Sequence, residues 1–203
     1  MGQSVIPKTD QASSDTGKKA PFTFFLEFLR HPMEIGSVIP SSAFLERRIL
    51  AAADLENAAV VVELGCGTGG TTQALLEGMT ADGRLLAVDV NERFTQLVSN
   101  IPDSRLIAQL GSATDIGQIL KAHGFENADV VVSGIPFSTM PWDLGESIVK
   151  AIHACLKPGG RFVAYQASRR VQKLSEPVFG RGSESLELIN VPPMRVHRWI
   201  KTV

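Results

Sequence analysis

The sequence predicts an α/β fold built on a mainly parallel sheet with helices on both faces, and three observations carry the prediction. Strand-like and helix-like segments alternate from residue 59 to residue 166. The strand-like segments are apolar at consecutive positions, as in strands covered on both faces, not at every second position as in a half-solvated sheet. After residue 166 the pattern changes to two short alternating segments, which read as an antiparallel pair at the sheet edge. With 203 residues, 44% of them hydrophobic, the chain can bury one sizeable core, and a single domain over 21–203 is expected.

Residues 1–20 are rich in Ser, Thr, Lys, Asp and Gln, lack the apolar stretch of a secretion signal, and read as a disordered tail. Phe22, Phe25, Leu26 and Leu29 then fall at helical spacing, with Pro21 at the start and Pro32 beyond the end, so a short amphipathic helix is expected over 22–30. Phe24 and Phe28 widen its apolar arc until only Thr23, Glu27 and Arg30 are polar. Such an arc suits a helix lying in a lipid surface; a helix laid over the sheet is the other reading. A loop over 36–42 leads to a helix over 43–53, capped by Ser41 or Ser42. Strands follow at 59–64, 84–90, 105–109, 128–133 and 161–166, with helices between them at 71–79, 92–100, 116–123 and 144–155. The late strands are placed at 185–190 and 195–201, joined across Val191-Pro192-Pro193. The stretch 167–177 reads as a charged loop whose Arg169, Arg170 and Lys173, with Arg181, could face phosphates or only solvent.

Composition narrows the function. Twenty basic residues against 21 acidic ones give no positive field to gather a polyanion, which argues against nucleic acid as a partner. Cys66 and Cys155 lie far apart in apolar or glycine-rich segments, which suits a reducing, cytoplasmic compartment. No run of about 20 apolar residues could span a bilayer, although attachment to a membrane surface stays open. No metal is expected.

The chemistry concentrates after the first strand. Val60 to Gly70 (VVVELGCGTGG) puts a glycine-rich turn between a buried strand and a helix, where backbone amides face a ligand. Gly65, Gly67 and Gly70 also satisfy the dinucleotide spacing, with Asp89 an appropriate distance on. Glu63 argues against that reading. A carboxylate at the strand end would repel a pyrophosphate, whereas it stabilises an ammonium or a sulfonium. The turn Leu156-Lys157-Pro158-Gly159-Gly160-Arg161-Phe162 and the late antiparallel pair resemble class I S-adenosyl-L-methionine-dependent methyltransferases. The resemblance implies a Rossmann-like seven-stranded methyltransferase sheet, parallel with an antiparallel C-terminal strand. It implies S-adenosyl-L-methionine as cofactor and S-adenosyl-L-homocysteine as product. The implied donor site comprises Ser37, Glu63, Gly65, Gly67, Gly69, Asp89, Val90, Ser112, Ala113 and Ser133. Asp89 would hold the ribose diol, with a loop or cap acid as its other reading, and Ser112 stands where the family usually has an acid beside the adenine, or is a turn serine.

The acceptor side falls to Ser133-Gly134-Ile135-Pro136-Phe137 after the fourth strand, on the edge where such sheets bind ligands. Adenine N6-methyltransferases carry an amide or acid followed by two prolines there, and Ser133 offers no bidentate contact to a base. The aromatic helix, the 36–42 loop, the 133–141 loop and Asn190-Val191-Pro192-Pro193 instead resemble bacterial phospholipid N-methyltransferases. An aminophospholipid substrate at a membrane surface is therefore expected. Tyr165 is the candidate to orient the amine, with backbone carbonyls at Ser133 to Ile135, and His31 is the candidate proton acceptor. The other readings are an rRNA adenine N6-methyltransferase and a non-catalytic protein that binds the same cofactor.

Overall fold

The structure is a computed structural model and describes residues 43–190 and 192–202. The expected helix over 22–30, His31 and Ser37 lie outside the described residues. Helix α1 (Ala43–Ala53) leads into β1 (Val60–Leu64), α2 (Gly70–Gly78), β2 (Arg84–Asp89), α3 (Glu92–Ser99) and β3 (Leu106–Leu110). Then come α4 (Ile116–Ala122), β4 (Ala128–Ser133), α5 (Trp142–Cys155), β5 (Leu156–Gln166), α6 (Arg170–Phe179), β6 (Ser183–Glu187) and β7 (Met194–Ile200).

The seven strands lie in the order β3-β2-β1-β4-β5-β7-β6, parallel from β3 to β5, with β7 antiparallel to both of its neighbours. Apolar residues run consecutively along the strands because the two faces feed different cores. Val61, Val130, Val132 and Val163 pack on Leu45 and Ile49 of α1 and Leu75 and Leu76 of α2. Val62, Leu64, Val131 and Phe162 pack on α4, α5 and α6 through Ile116, Leu120, Ile148, Ile152, Val171 and Leu174. Burying both faces contributes on the order of 25 cal/mol per Å² of apolar surface.

Register places the site. Leu64 pairs with Val88 and Ser133, and Ser133 with Ala164, so β1, β2, β4 and β5 end along one edge. Gln166 pairs with Arg195, and Glu187 with Met194, so the turn between β6 and β7 leaves the sheet at this same edge. The start of α1 lies there too, since a side chain at Gly70 would meet Glu46 at 4.0 Å.

Three expectations need correction. Strand β5 begins at Leu156, five residues before the expected start, because Leu156 already pairs with Ala128 and the Pro158-Gly159-Gly160 turn is absorbed as an irregularity in the ladder. Strand β6 is displaced towards the N-terminus, and Leu188 and Ile189, expected in the strand, stand outside it, 69% and 61% exposed. The stretch expected as a charged loop is helix α6, with Val171, Leu174, Ser175 and Phe179 buried on one side. Its charges mask this stripe, and Pro177 stands inside the helix near its C-terminal end, ahead of Gly180.

Phe162 is fully buried, stacked on Trp199 at 5.2 Å and tilted against Phe179 at 5.6 Å, which ties α6 and β7 to the sheet. Phe162→Ala should cost about 3–5 kcal/mol, read as a lowered urea midpoint; an unchanged midpoint would contradict this packing.

Candidate active site

Strand β1 carries Glu63 into the interior beneath the glycine turn, with no exposed surface. Its Oε2 accepts a hydrogen bond from the Thr72 hydroxyl at 2.6 Å, and its Oε1 has no partner. Burial pushes the carboxyl up to about 7; the Thr72 bond opposes the rise and nearby Asp89 adds to it. Above it, Gly67 adopts a φ of +51°, and a side chain there would meet nothing within 4 Å, so the turn is open on its outer side.

Asp89 ends β2 and is fixed by its surroundings. Oδ2 accepts from the Gly67 amide at 3.1 Å and Oδ1 from the Asn91 amide at 2.9 Å. Burial raises this carboxyl and the amide bonds restrain the rise. Oδ2 also takes the Cys66 thiol at 3.8 Å, and Oδ1 keeps capacity for a further donor. Val90 follows, nearly half exposed. Ala113 is buried, and the Ser112 hydroxyl is used locally, accepting from the Thr114 amide at 3.2 Å and sharing a 2.7 Å bond with its hydroxyl. Ser112 thus serves as the cap of a short turn.

The loop after β4 closes the other half. The Gly134 amide donates to Leu64 O at 2.9 Å, and the buried Ser133 hydroxyl accepts from the Ile135 amide at 3.3 Å. Phe137 and Met140 sink fully into the core and anchor the loop. The Ile135 carbonyl, expected to be free for an amine, accepts both from the Phe137 amide at 2.9 Å and from Gln166 Nε2 at 3.3 Å. Both of its lone pairs are therefore engaged.

Tyr165 reaches the seam between the two halves. Its hydroxyl lies 3.1 Å from the Thr71 hydroxyl at the start of α2, and a side chain at Gly134 would come within 2.4 Å of it. Only glycine fits at Gly134. Burial, followed by the Glu63 charge, pushes the phenol up, so it stays protonated. Tyr165 packs on the α1 and α2 side of the sheet, whereas Gln166, one residue on, shares the opposite face with Ser133. Alternation along β5 sends the two to opposite sides. Arg169, read from the sequence as facing either phosphates or only solvent, is taken by Glu184, with Nε at 3.1 Å and Nη2 at 2.9 Å from its two oxygens. Gln166 was not among the residues expected at the site, although Tyr165-Gln166 resembles the phospholipid N-methyltransferases; its place two residues beyond the register partner of Ser133 brings it to the same edge.

A family described as a methyltransferase domain matches residues 61–160, which contain both halves of this site except the end of β5. A protein of Singulisphaera acidiphila named ornithine lipid N-methyltransferase is 34% identical over 143 residues, covering 70% of this chain and 74% of the relative. The chain belongs to the class I S-adenosyl-L-methionine-dependent methyltransferases. Solved structures agree with this methyltransferase in fold. The N-methyltransferase NodS of Bradyrhizobium japonicum, in complex with S-adenosyl-L-homocysteine, superposes with a TM-score of 0.68 at 14% identity, covering 89% of this chain and 98% of that one. An O-methyltransferase of Bacillus cereus, also in complex with S-adenosyl-L-homocysteine, gives 0.64 at 14% identity, covering 92% and 93%.

The residues present fit the cofactor. The bare, buried Glu63 Oε1 is an acceptor without a donor, which a cationic ligand completes and a pyrophosphate does not. The open face of Gly67 leaves room for a ligand against the backbone.

The Glu63 carboxyl carries a pH signature. Its folded value of about 7 lies above the ordinary 4.5, so between these pH values the folded methyltransferase holds a proton that the unfolded chain has lost. Ionising it as pH rises costs stability in the ligand-free protein. Urea midpoints of wild type minus those of Glu63→Gln should therefore fall from pH 5 to pH 7.5; a flat difference would refute the buried, proton-binding carboxyl.

Proposed function

We propose that this methyltransferase methylates the amine of phosphatidylethanolamine or a related aminolipid at a membrane surface. The observation that carries the reading is the 34% identity to a protein named ornithine lipid N-methyltransferase, extending over both halves of the site. The exposed Leu188 and Ile189, in the turn that leaves the sheet at the site edge, support it, since apolar side chains there can enter a lipid surface. Among the described residues no helix is long and apolar enough to cross a membrane, so the contact proposed is peripheral.

In this reading Glu63 holds the cationic end of the donor and Asp89 its ribose hydroxyls. The turn Gly65, Gly67 and Gly69 cradles the part between, and Val90, Ser112 and Ala113 line the adenine side, with Ser37 completing the site from the N-terminal segment. Bound S-adenosyl-L-methionine supplies a methyl on sulfonium sulfur, ready for in-line displacement by a nitrogen lone pair. The chain orients that lone pair, excludes water and accommodates the charge that develops on nitrogen. Tyr165, a neutral phenol at the seam, offers an oxygen to the acceptor amine, and the backbone at Ser133 and Gly134 lies beside it. The Ile135 carbonyl holds the loop rather than the amine, because its two lone pairs are used. His31 is the proposed acceptor of the proton that leaves the nitrogen.

Incubation with labelled donor and vesicles of phosphatidylethanolamine or ornithine lipid, beside unmethylated rRNA, should label lipid; label confined to RNA would overturn the assignment. Asp89→Ala should weaken S-adenosyl-L-homocysteine binding by roughly 100-fold, the cost of two charge-assisted hydrogen bonds, measured by calorimetry. Retained affinity would remove Asp89 from the donor site.

A further inference from the structure

Two buried polar atoms near the acceptor loop have no partner, and they are opposite in kind. Gln166, 6% exposed, donates from Nε2 to the Ile135 carbonyl at 3.3 Å. That bond fixes the amide orientation, since the nitrogen must face the carbonyl, and leaves Oε1 as a bare acceptor. Arg170 donates from Nη1 to the Ser138 carbonyl at 3.3 Å and lays its guanidinium over the Trp142 ring, 5.5 Å from the centroid. Its Nε is buried without an acceptor. The two side chains are thus tethered to carbonyls three residues apart in one tight turn, one presenting an acceptor and the other a cationic donor.

The neighbouring charge separates Arg170 from the other basic residues of α6. Arg169 is neutralised by Glu184 and points to β6, whereas no carboxylate among the described residues bonds Arg170. Gln166 shares the sheet face of Ser133, at the edge where β4 ends. Leaving a buried amide oxygen and a buried guanidinium nitrogen unpaired is costly, about 1–3 kcal/mol for each group, and a ligand that pairs both recovers that cost.

We infer that Gln166 and Arg170 form a head-group site for a zwitterionic acceptor: Gln166 Oε1 takes an N–H of the amine, and Arg170 takes an anionic oxygen of the same head group, phosphodiester or carboxylate. A neutral amide suits this role, because it orients an uncharged amine and tolerates positive charge on nitrogen without protonating. A guanidinium is the natural partner of either anion. Trp142, nearly half exposed beneath the guanidinium, holds it in place. The inference rests on the aminolipid reading and names the two contacts that select the head group.

The test measures kcat and KM of the full chain on phosphatidylethanolamine and on ornithine lipid in neutral phosphatidylcholine vesicles, together with S-adenosyl-L-homocysteine affinity. Arg170→Met, which keeps the packing on Trp142, should raise KM at least tenfold and leave kcat within twofold, whereas Gln166→Leu should lower kcat about tenfold with KM little changed. Both variants should bind S-adenosyl-L-homocysteine within twofold of wild type. The lipid on which Arg170→Met acts tells whether the anion is phosphodiester or carboxylate. Parallel losses in the same parameter, or no loss in either variant, would overturn this inference alone. A wild-type protein that methylates neither lipid would remove the aminolipid reading and this inference with it.

Discussion

Everything at the site depends on one electrostatic constraint, the enclosure of the Glu63 carboxylate where water cannot reach it. A carboxylate with a single hydrogen bond, from Thr72, is unfavourable in the interior, and its raised pKa expresses that cost. The cost fits a position that a cationic ligand can complete, since Glu63 Oε1 has no partner among the described residues. The parallel sheet brings the ends of β1 and β2 together, the glycine turn lets a ligand approach the backbone, and Asp89 pins that turn from the next strand through the Gly67 amide. Replacing the acid by an apolar side chain would suit the core better.

The acceptor half is organised by a different rule, alternation along a strand. Consecutive residues of β5 serve opposite faces. Tyr165 reaches the donor turn through Thr71, and Gln166 reaches the acceptor loop through Ile135. A two-residue segment thereby contacts both halves of the candidate site. Gly134 lies between them, and its lack of a side chain lets the Tyr165 hydroxyl approach the backbone.

Much of the architecture was legible because it rests on local signals. The helix over 43–53 and the strand over 128–133 are found with the bounds their apolar spacing indicates. The glycine turn after β1 was legible for a similar reason, since Glu63, the glycines and Asp89 follow one another along successive elements. Helix α6 was hidden by its charges and by Pro177, although Val171, Leu174 and Val178 already keep helical spacing. The acceptor contacts were hidden for a deeper reason. That Ile135 has no lone pair to spare and that Arg169 belongs to Glu184 are facts of tertiary pairing. No spacing in the chain encodes them.

The reversal of β7 has a practical geometric result. Because it runs against its neighbours, Arg195 lies level with the end of β5, while Ile200 lies level with Arg161, and the Lys201 amide bonds Gly160 at the far end of the sheet. A fluorophore or surface tether attached after Lys201 would thus project away from the edge that carries the candidate site.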